Sequence, residues 1–152
     1  MQTFAAVLFV TVWFAAEGPA VAQERRVAPS AADATGKRVA LVIGNGGYAR
    51  RPLVNPVNDA ADMGALLREQ LGFNTTVVTN ADLQAMDRAI ETYIGRLGAG
   101  DVALFYYSGH GMQVAGENYL VPVDFNAADE LDVKYKAYVA NRLRDRLRGR
   151  GV

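Results

Sequence analysis

Three short apolar runs, spaced by two stretches of helical periodicity, constrain this chain more than any other feature. Val39-Ala-Leu-Val-Ile43 is continuous and ends at Gly44, Phe73 to Thr79 is β-branched, and Val102-Ala-Leu-Phe-Tyr-Tyr107 is apolar or aromatic throughout. Runs of this length without polar alternation read as strands covered on both faces. Between the first two, Val57, Ala60, Ala61, Gly64, Leu67 and Leu71 mark one helical face, with Asn55-Pro56 as cap and first position and Gly72 as stop. Between the second and third, Asp82 caps a stripe of Met86, Ile90, Ile94 and Leu97 that Gly98 ends. The order β-α-β-α-β predicts parallel strands joined by right-handed crossovers, an α/β sandwich. Met112–Val114 and Tyr119–Val123 flank Ala115-Gly-Glu-Asn118, a β-hairpin pattern.

The amino end is of another kind. Phe4 to Ala16 is apolar apart from Thr11 and leads through Glu17-Gly-Pro19 to Ala20-Val-Ala22. Its 13 residues suit the apolar core of a signal peptide and fall short of the ~20 that span a bilayer. Residues 1–22 are therefore expected to be a signal peptide, with a buried strand or helix of the domain as the other reading. Residues 23–36, rich in Ala, Pro, Ser and charge, read as a linker, which places the mature chain in the periplasm or outside the cell. No second apolar run of membrane length follows.

The 152 residues carry 16 basic and 16 acidic side chains, so no net field argues for nucleic acid. The balance is uneven: residues 132–152 form a basic tail, in which Lys134 to Leu147 can begin a third, truncated helix before an Arg-x-Arg alternation of five Arg from Arg142 to Arg150 takes over. Cysteine is absent, which excludes a disulfide framework, a thiolate metal site and a cysteine nucleophile within these residues.

His110 is the single histidine, and Ser108-Gly-His-Gly111 sits at the carboxyl end of the third strand, where open α/β sheets place their chemistry. Neutral imidazole suits acid–base work near pH 7, the flanking glycines leave it unshielded, and the Gly111 N–H can help hold an oxyanion. Ser108 is two residues from His110 on one short loop, a spacing that rarely presents Oγ to the ring, and no G-x-S-x-G elbow exists. Gly44-Asn-Gly-Gly-Tyr-Ala49 matches a dinucleotide fingerprint formally, but Pro52 and Pro56 delay the helix and no acid closes the second strand. That loop is expected to be flexible backbone beside a cleft. Asp59 and Asp62 lie in the first helical turn, where the dipole favours carboxylates, and Asp59 also neighbours the loop above the sheet.

The segments Lys37–Asn45, Asn55-Pro-Val-Asn-Asp-Ala60, Leu71-Gly-Phe73, Phe105-Tyr-Tyr-Ser-Gly-His-Gly111 and Asn118-Tyr-Leu-Val-Pro-Val-Asp124 together resemble the large-subunit region of bacterial caspase-like proteins, the metacaspase relatives. The resemblance covers roughly Lys37 to Tyr138. It implies a caspase-like three-layer sandwich, present in part: the first three parallel strands, two helices and the hairpin, in a domain over 37–131. It also implies cysteine endopeptidase chemistry from a Cys–His dyad, with His110 as base, Gly111 N–H in the oxyanion hole, and Asp59 with Ser108 lining a pocket for a basic P1 side chain. Calcium is common among metacaspase relatives, but no ligand cluster for it is legible here, and no other metal or cofactor is.

The departure is the nucleophile, which in that family follows a fourth parallel strand in a D-x-C-R segment. Neither that strand nor a cysteine is in this sequence. The expectation is the histidine half of a peptidase site, truncated and inactive by itself, the Arg-rich ending being a broken reading frame or a short paralogue. The rival is a non-catalytic pseudopeptidase that binds or regulates through a peptide. Without the fourth strand, Val102–Tyr107 becomes an exposed sheet edge, which predicts edge-strand self-association.

Overall fold

The computed structural model describes residues 36–152 and, as backbone, Phe9–Thr11. The rest of the expected signal peptide, and the linker up to residue 35, lie outside the described residues. The elements in chain order are β1 (Phe9–Thr11), β2 (Arg38–Gly44), α1 (Pro56–Glu69), β3 (Asn74–Thr79), α2 (Leu83–Gly95), β4 (Val102–Ser108), β5 (Gly111–Val114), β6 (Glu117–Leu120), α3 (Glu130–Lys136), β7 (Tyr138–Val139) and α4 (Ala140–Arg148).

The main sheet has the order β1-β4-β2-β3, with β2 parallel to both β3 and β4. The centre of this sheet is β2, which pairs with β4 from Arg38 to Gly44 and with β3 from Val39 to Gly44. Because successive side chains of a strand point to opposite faces, β2 feeds two cores. Val39, Leu41 and Ile43 pack with Met86, Ile90, Ile94 and Leu97 of the α2 side, and Ala40 and Val42 pack with Ala60 and Leu67 of α1. The result is the three-layer α/β arrangement, helices on both faces of a parallel three-strand sheet.

Local chemistry explains most element boundaries. Asp82 caps α2, its carboxylate accepting from Ala85 N at 2.7 Å. Gly72 adopts φ +66° just past α1, the left-handed turn that favours glycine. Asn55 departs from expectation. It has helical dihedrals and makes no side-chain cap bond, so its carbonyl starts the helix, accepting from Asp59 N at 2.9 Å. Two members of the expected α1 stripe, Ala61 and Leu71, are exposed, on the flank of β3, the edge strand among the described residues.

The hairpin is tighter than its sequence suggests. Ala115 and Gly116 both have positive φ, a two-residue turn whose twist matches the strands, so Glu117 and Asn118 belong to β6. Pro122 ends that strand after Leu120, and β7 adds an antiparallel third strand.

The carboxyl segment is helical, as the reading of Lys134 to Leu147 allows, in two pieces, α3 and α4. Asp129 caps α3 by accepting from Leu131 N and Asp132 N. In α4, Leu143 is buried and Leu147 partly buried against the α2 core, and Val152 reaches the same cluster. Arg146 forms a two-pronged ion pair with Glu91 of α2, one arm at 2.6 Å. The Arg-x-Arg alternation hides an i, i+4 leucine pair, which is a helical core stripe.

Candidate functional site

The carboxyl ends of β2 and β4 lie side by side, Gly44 opposite Ser108, and the loops that follow build the site. After β2 comes Asn45, fully buried. Its Nδ2 donates to the carbonyls of Ala81 and Val121, both at 3.2 Å, and its Oδ1 accepts from Ala81 N at 2.9 Å. Its own N–H donates to the Ser108 carbonyl at 2.8 Å. One side chain thus ties the loop after β2 to the entry of α2 and the exit of β6. Leaving any of these buried groups unpaired costs about 1–3 kcal/mol.

The loop after Asn45, expected to be flexible, is pinned. Asn80, at φ +51°, accepts from Gly46 N at 3.0 Å and Gly47 N at 2.8 Å, and Gly46 O accepts from Leu53 N at 2.9 Å. The residue that closes β3 where a dinucleotide site would need an acid is the one that anchors this loop. Its fixed path delivers two groups to the histidine: the Tyr48 side chain and the Arg51 carbonyl.

His110 is held from several directions. Its Nε2 lies 2.8 Å from Arg51 O, and its backbone N–H donates to the Tyr48 hydroxyl at 3.0 Å. The Tyr48 and His110 rings pack with centroids 4.5 Å apart and planes tilted by 51°. The His110 carbonyl accepts from Tyr107 Oη at 2.9 Å and from Val121 N at 3.0 Å. The Tyr48 hydroxyl donates to Val121 O at 3.0 Å, and Tyr107 Oη lies 2.8 Å from the same oxygen, its one proton shared between the Val121 and His110 carbonyls. Burial raises the pKa of both phenols, so they stay neutral donors across the physiological range.

A carbonyl accepts only, so the bond to Arg51 O requires a proton on Nε2. In neutral imidazole this leaves Nδ1 as the basic nitrogen. Arg51 itself sits at φ +56°, unusual for a residue with a side chain. In that conformation its carbonyl meets the ring.

The glycines around His110 have different origins. A Cβ on Gly109 would lie 2.5 Å from Tyr107 Oη and 2.7 Å from Tyr48 Oη, so packing of the two phenols demands glycine there. At Gly111, which opens β5 opposite Leu120, a Cβ would meet only Tyr119 O at 3.7 Å, an ordinary contact. Only the second glycine leaves room that the fold does not itself use.

Ser108 and Asp59 are brought together: the Ser108 hydroxyl donates to Asp59 Oδ2 at 3.0 Å, joining the end of β4 to the first turn of α1. Gly44 permits this approach, since a Cβ there would lie 2.2 Å from Pro56 O and 2.6 Å from the Ala60 Cβ. With its proton given to a carboxylate, Ser108 is not hydrogen-bonded to His110 as a serine nucleophile is to its base. Asp62, expected in the first turn, lies a turn further along α1 and is exposed, so Asp59 alone is the first-turn acid. Among the described residues no three His, Asp or Glu side chains gather closely enough to hold a metal ion. No helix among them is long and apolar enough to cross a membrane.

Sequence reasoning missed Asn45, Tyr48, Arg51, Asn80 and Tyr107 as site residues. Tyr107 directly precedes Ser108 and Tyr48 follows the glycine loop, but their partners are backbone carbonyls of distant segments, which leave no mark in residue type.

A parallel α/β sandwich with a histidine loop at the carboxyl edge of its third parallel strand, bonded to a carbonyl of the loop after the first, defines the class. The family model for the caspase domain of the C14 peptidases matches residues 37–151, and this chain belongs to that family. The match includes α3, β7 and α4. The chain is 36% identical over 88 residues to mucosa-associated lymphoid tissue lymphoma translocation protein 1 of Homo sapiens and, equally, to its homolog of Mus musculus, in each case 57% of this chain. It spans about a tenth of the length of these curated relatives, 11% and 10%.

Proposed function

We propose that this chain carries the histidine half of a caspase-type cysteine endopeptidase site, seating a polypeptide without cutting it. The observation that carries the reading is the His110 Nε2 bond to Arg51 O, which leaves Nδ1 as the nitrogen able to take a proton. His110 is then the base and Gly111 N–H a donor to the oxyanion of an attacked carbonyl. Asp59, one oxygen engaged by Ser108, receives a Lys or Arg side chain at P1 through a charge-assisted bond. With no cysteine in the 152 residues, His110 has no thiol to activate. That same absence favours a second reading, a non-catalytic module whose cleft binds or regulates through a basic peptide.

The test is a pair of assays on the chain. Fluorescence anisotropy with a labelled Arg-terminated peptide should show binding that Asp59→Ala weakens about tenfold, the loss of one charge-assisted bond of roughly 1.4 kcal/mol. Unchanged affinity removes Asp59 from the site. No amide cleavage is expected; cleavage abolished by His110→Ala overturns the missing-nucleophile argument.

We also propose export, with cleavage after Ala22 by a peptidase whose pocket takes the small residues Ala20 and Ala22. A periplasmic or secreted product should begin at Gln23 by intact mass, and a cytoplasmic product retaining Met1 refutes this.

A further inference from the structure

Asp59 and Ser108 hold one another, and the bond between them fixes what the pocket offers a cation. Ser108 is buried at the end of β4, and Asp59 is half-buried in the first turn of α1. The serine hydroxyl has one proton, and it goes to Asp59 Oδ2 at 3.0 Å. Oδ1 is the carboxylate oxygen that Ser108 does not engage. Tyr106 lies two residues earlier on β4, so its side chain projects to the same face, and it packs with Ala60 in the α1-side core. Its hydroxyl is hydrogen-bonded to Ser108 and feels the Asp59 charge. With the serine proton given to the carboxylate, the phenol is the donor in that bond. Burial and the neighbouring carboxylate both raise the Tyr106 pKa, so the phenol keeps its proton at neutral pH. The bonds from Tyr106 to Ser108 to Asp59 therefore run in one direction and hold the serine proton toward Oδ2.

A lysine and an arginine ask different things of such a pocket. The guanidinium is a planar fork that binds most strongly to both oxygens of one carboxylate in parallel. The ammonium is a compact charge whose three donors turn about the end of a flexible stem, so one free oxygen with other acceptors around it suffices. We propose that Ser108 is a specificity-determining residue: by engaging Asp59 Oδ2 it denies a guanidinium its second carboxylate oxygen and sets the pocket for lysine over arginine. The lysine ammonium takes Oδ1, and the lone pair of Ser108 Oγ that Tyr106 does not use is its second acceptor. The same serine that lies two residues before His110 thus serves the choice of side chain and not the chemistry of the bond. The inference rests on the reading of Asp59 as the group that receives the P1 side chain, and it narrows that reading to one of two basic residues.

The experiment measures the affinity of the full chain for two labelled peptides that differ only in a terminal Lys or Arg. The wild type should bind the Lys peptide about fivefold more tightly. Ser108→Ala frees Oδ2 and should reverse the order, the Arg peptide then binding about fivefold more tightly. Ser108→Thr keeps the hydroxyl and should keep the preference for lysine. Tyr106→Phe releases the serine hydroxyl and should move the ratio toward arginine by a smaller factor. A purely structural role for Ser108 would weaken both peptides alike and leave their ratio unchanged. Thermal melts establish which variants fold; should Ser108→Ala fail, the wild-type ratio and its shift in Tyr106→Phe decide the question. A wild type without preference for lysine, or a ratio that Ser108→Ala leaves unmoved, overturns the proposal. Asp59→Ala separates this outcome from failure of the pocket itself. If it weakens both peptides while Ser108→Ala leaves their ratio, the pocket stands and the role of Ser108 falls; if it weakens neither, both fall.

Discussion

His110 Nε2 and the carbonyl oxygen of Arg51 lie 2.8 Å apart, across 59 residues of sequence. The bond joins the loop after β4 to the loop after β2, and it dictates which ring nitrogen carries the proton. The partner is a backbone group, so substitution of the Arg51 side chain does not remove it. What sustains it is the loop path, held by Asn80 on one side and by the left-handed backbone of Arg51 on the other.

The first prediction follows directly. Since His110 is the sole histidine, its ring nitrogens give one set of resonances in long-range proton–nitrogen spectra. The neutral ring should show Nε2 protonated and Nδ1 not. Asn80→Ala, which frees the loop, should shift the pattern toward a mixture of tautomers. A pure Nδ1–H form in the wild type contradicts the assigned bond.

Glycine substitutions should separate packing from open space. Gly109→Ala places a methyl against both phenolic oxygens, and overpacking of this kind costs about 1–3 kcal/mol. Urea unfolding should record that loss, and adding Tyr48→Phe should recover part of it. Gly111→Ala should stay within about 0.5 kcal/mol of wild type, because its Cβ has ordinary contacts. If Gly111→Ala proves the more damaging of the two, the packing argument fails.

The carboxyl helix should behave as core. Leu143 is 5% exposed within the cluster that includes Met86, Ile90 and Ile94. Leu143→Ala should cost about 2–4 kcal/mol. Arg144→Ala, on the exposed flank, should change stability by less than about 0.5 kcal/mol. Chemical denaturation of the two variants distinguishes a packed helix from a dispensable tail, for which both would be neutral.

Acid should erase the Asp101 tether. The Asp101 carboxylate accepts from Gly98 N and Lys37 N, joining the approach to β4 with the start of β2, and these bonds hold its pKa below the ordinary 3.8. A carboxylate with a depressed folded pKa contributes stability above its unfolded pKa and loses it as pH falls through the folded value. Asp101→Asn should therefore lower the urea midpoint at pH 7, and the gap from wild type should close as pH falls below 3.8. A gap independent of pH excludes the charged form as the cause.

Periodicity and punctuation made the β-α-β-α-β order legible, because apolar runs, Asp82 and Gly72 act through bonds to near neighbours in sequence. The same local logic placed His110 at the carboxyl end of β4 and Asp59 in the first turn of α1. It failed at Asn55, whose cap role depends on dihedrals set by the loop before it, and at the arginine-rich end. There the alternating charges mask Leu143 and Leu147, whose burial depends on α2, some fifty residues earlier in the chain.

What the sequence determined by itself is the family and the missing thiol: the first through motifs that local chemistry preserves in order, the second by composition alone. Only the tertiary structure decided how the histidine is held. Asn45, Tyr48, Asn80, Tyr107 and the Arg51 carbonyl act through backbone groups of segments far apart in the chain, and such bonds require a folded path rather than a partner of given residue type. The fate of the β4 edge is likewise a matter of the sheet, since pairing there depends on which strand arrives and not on the residues of β4 alone.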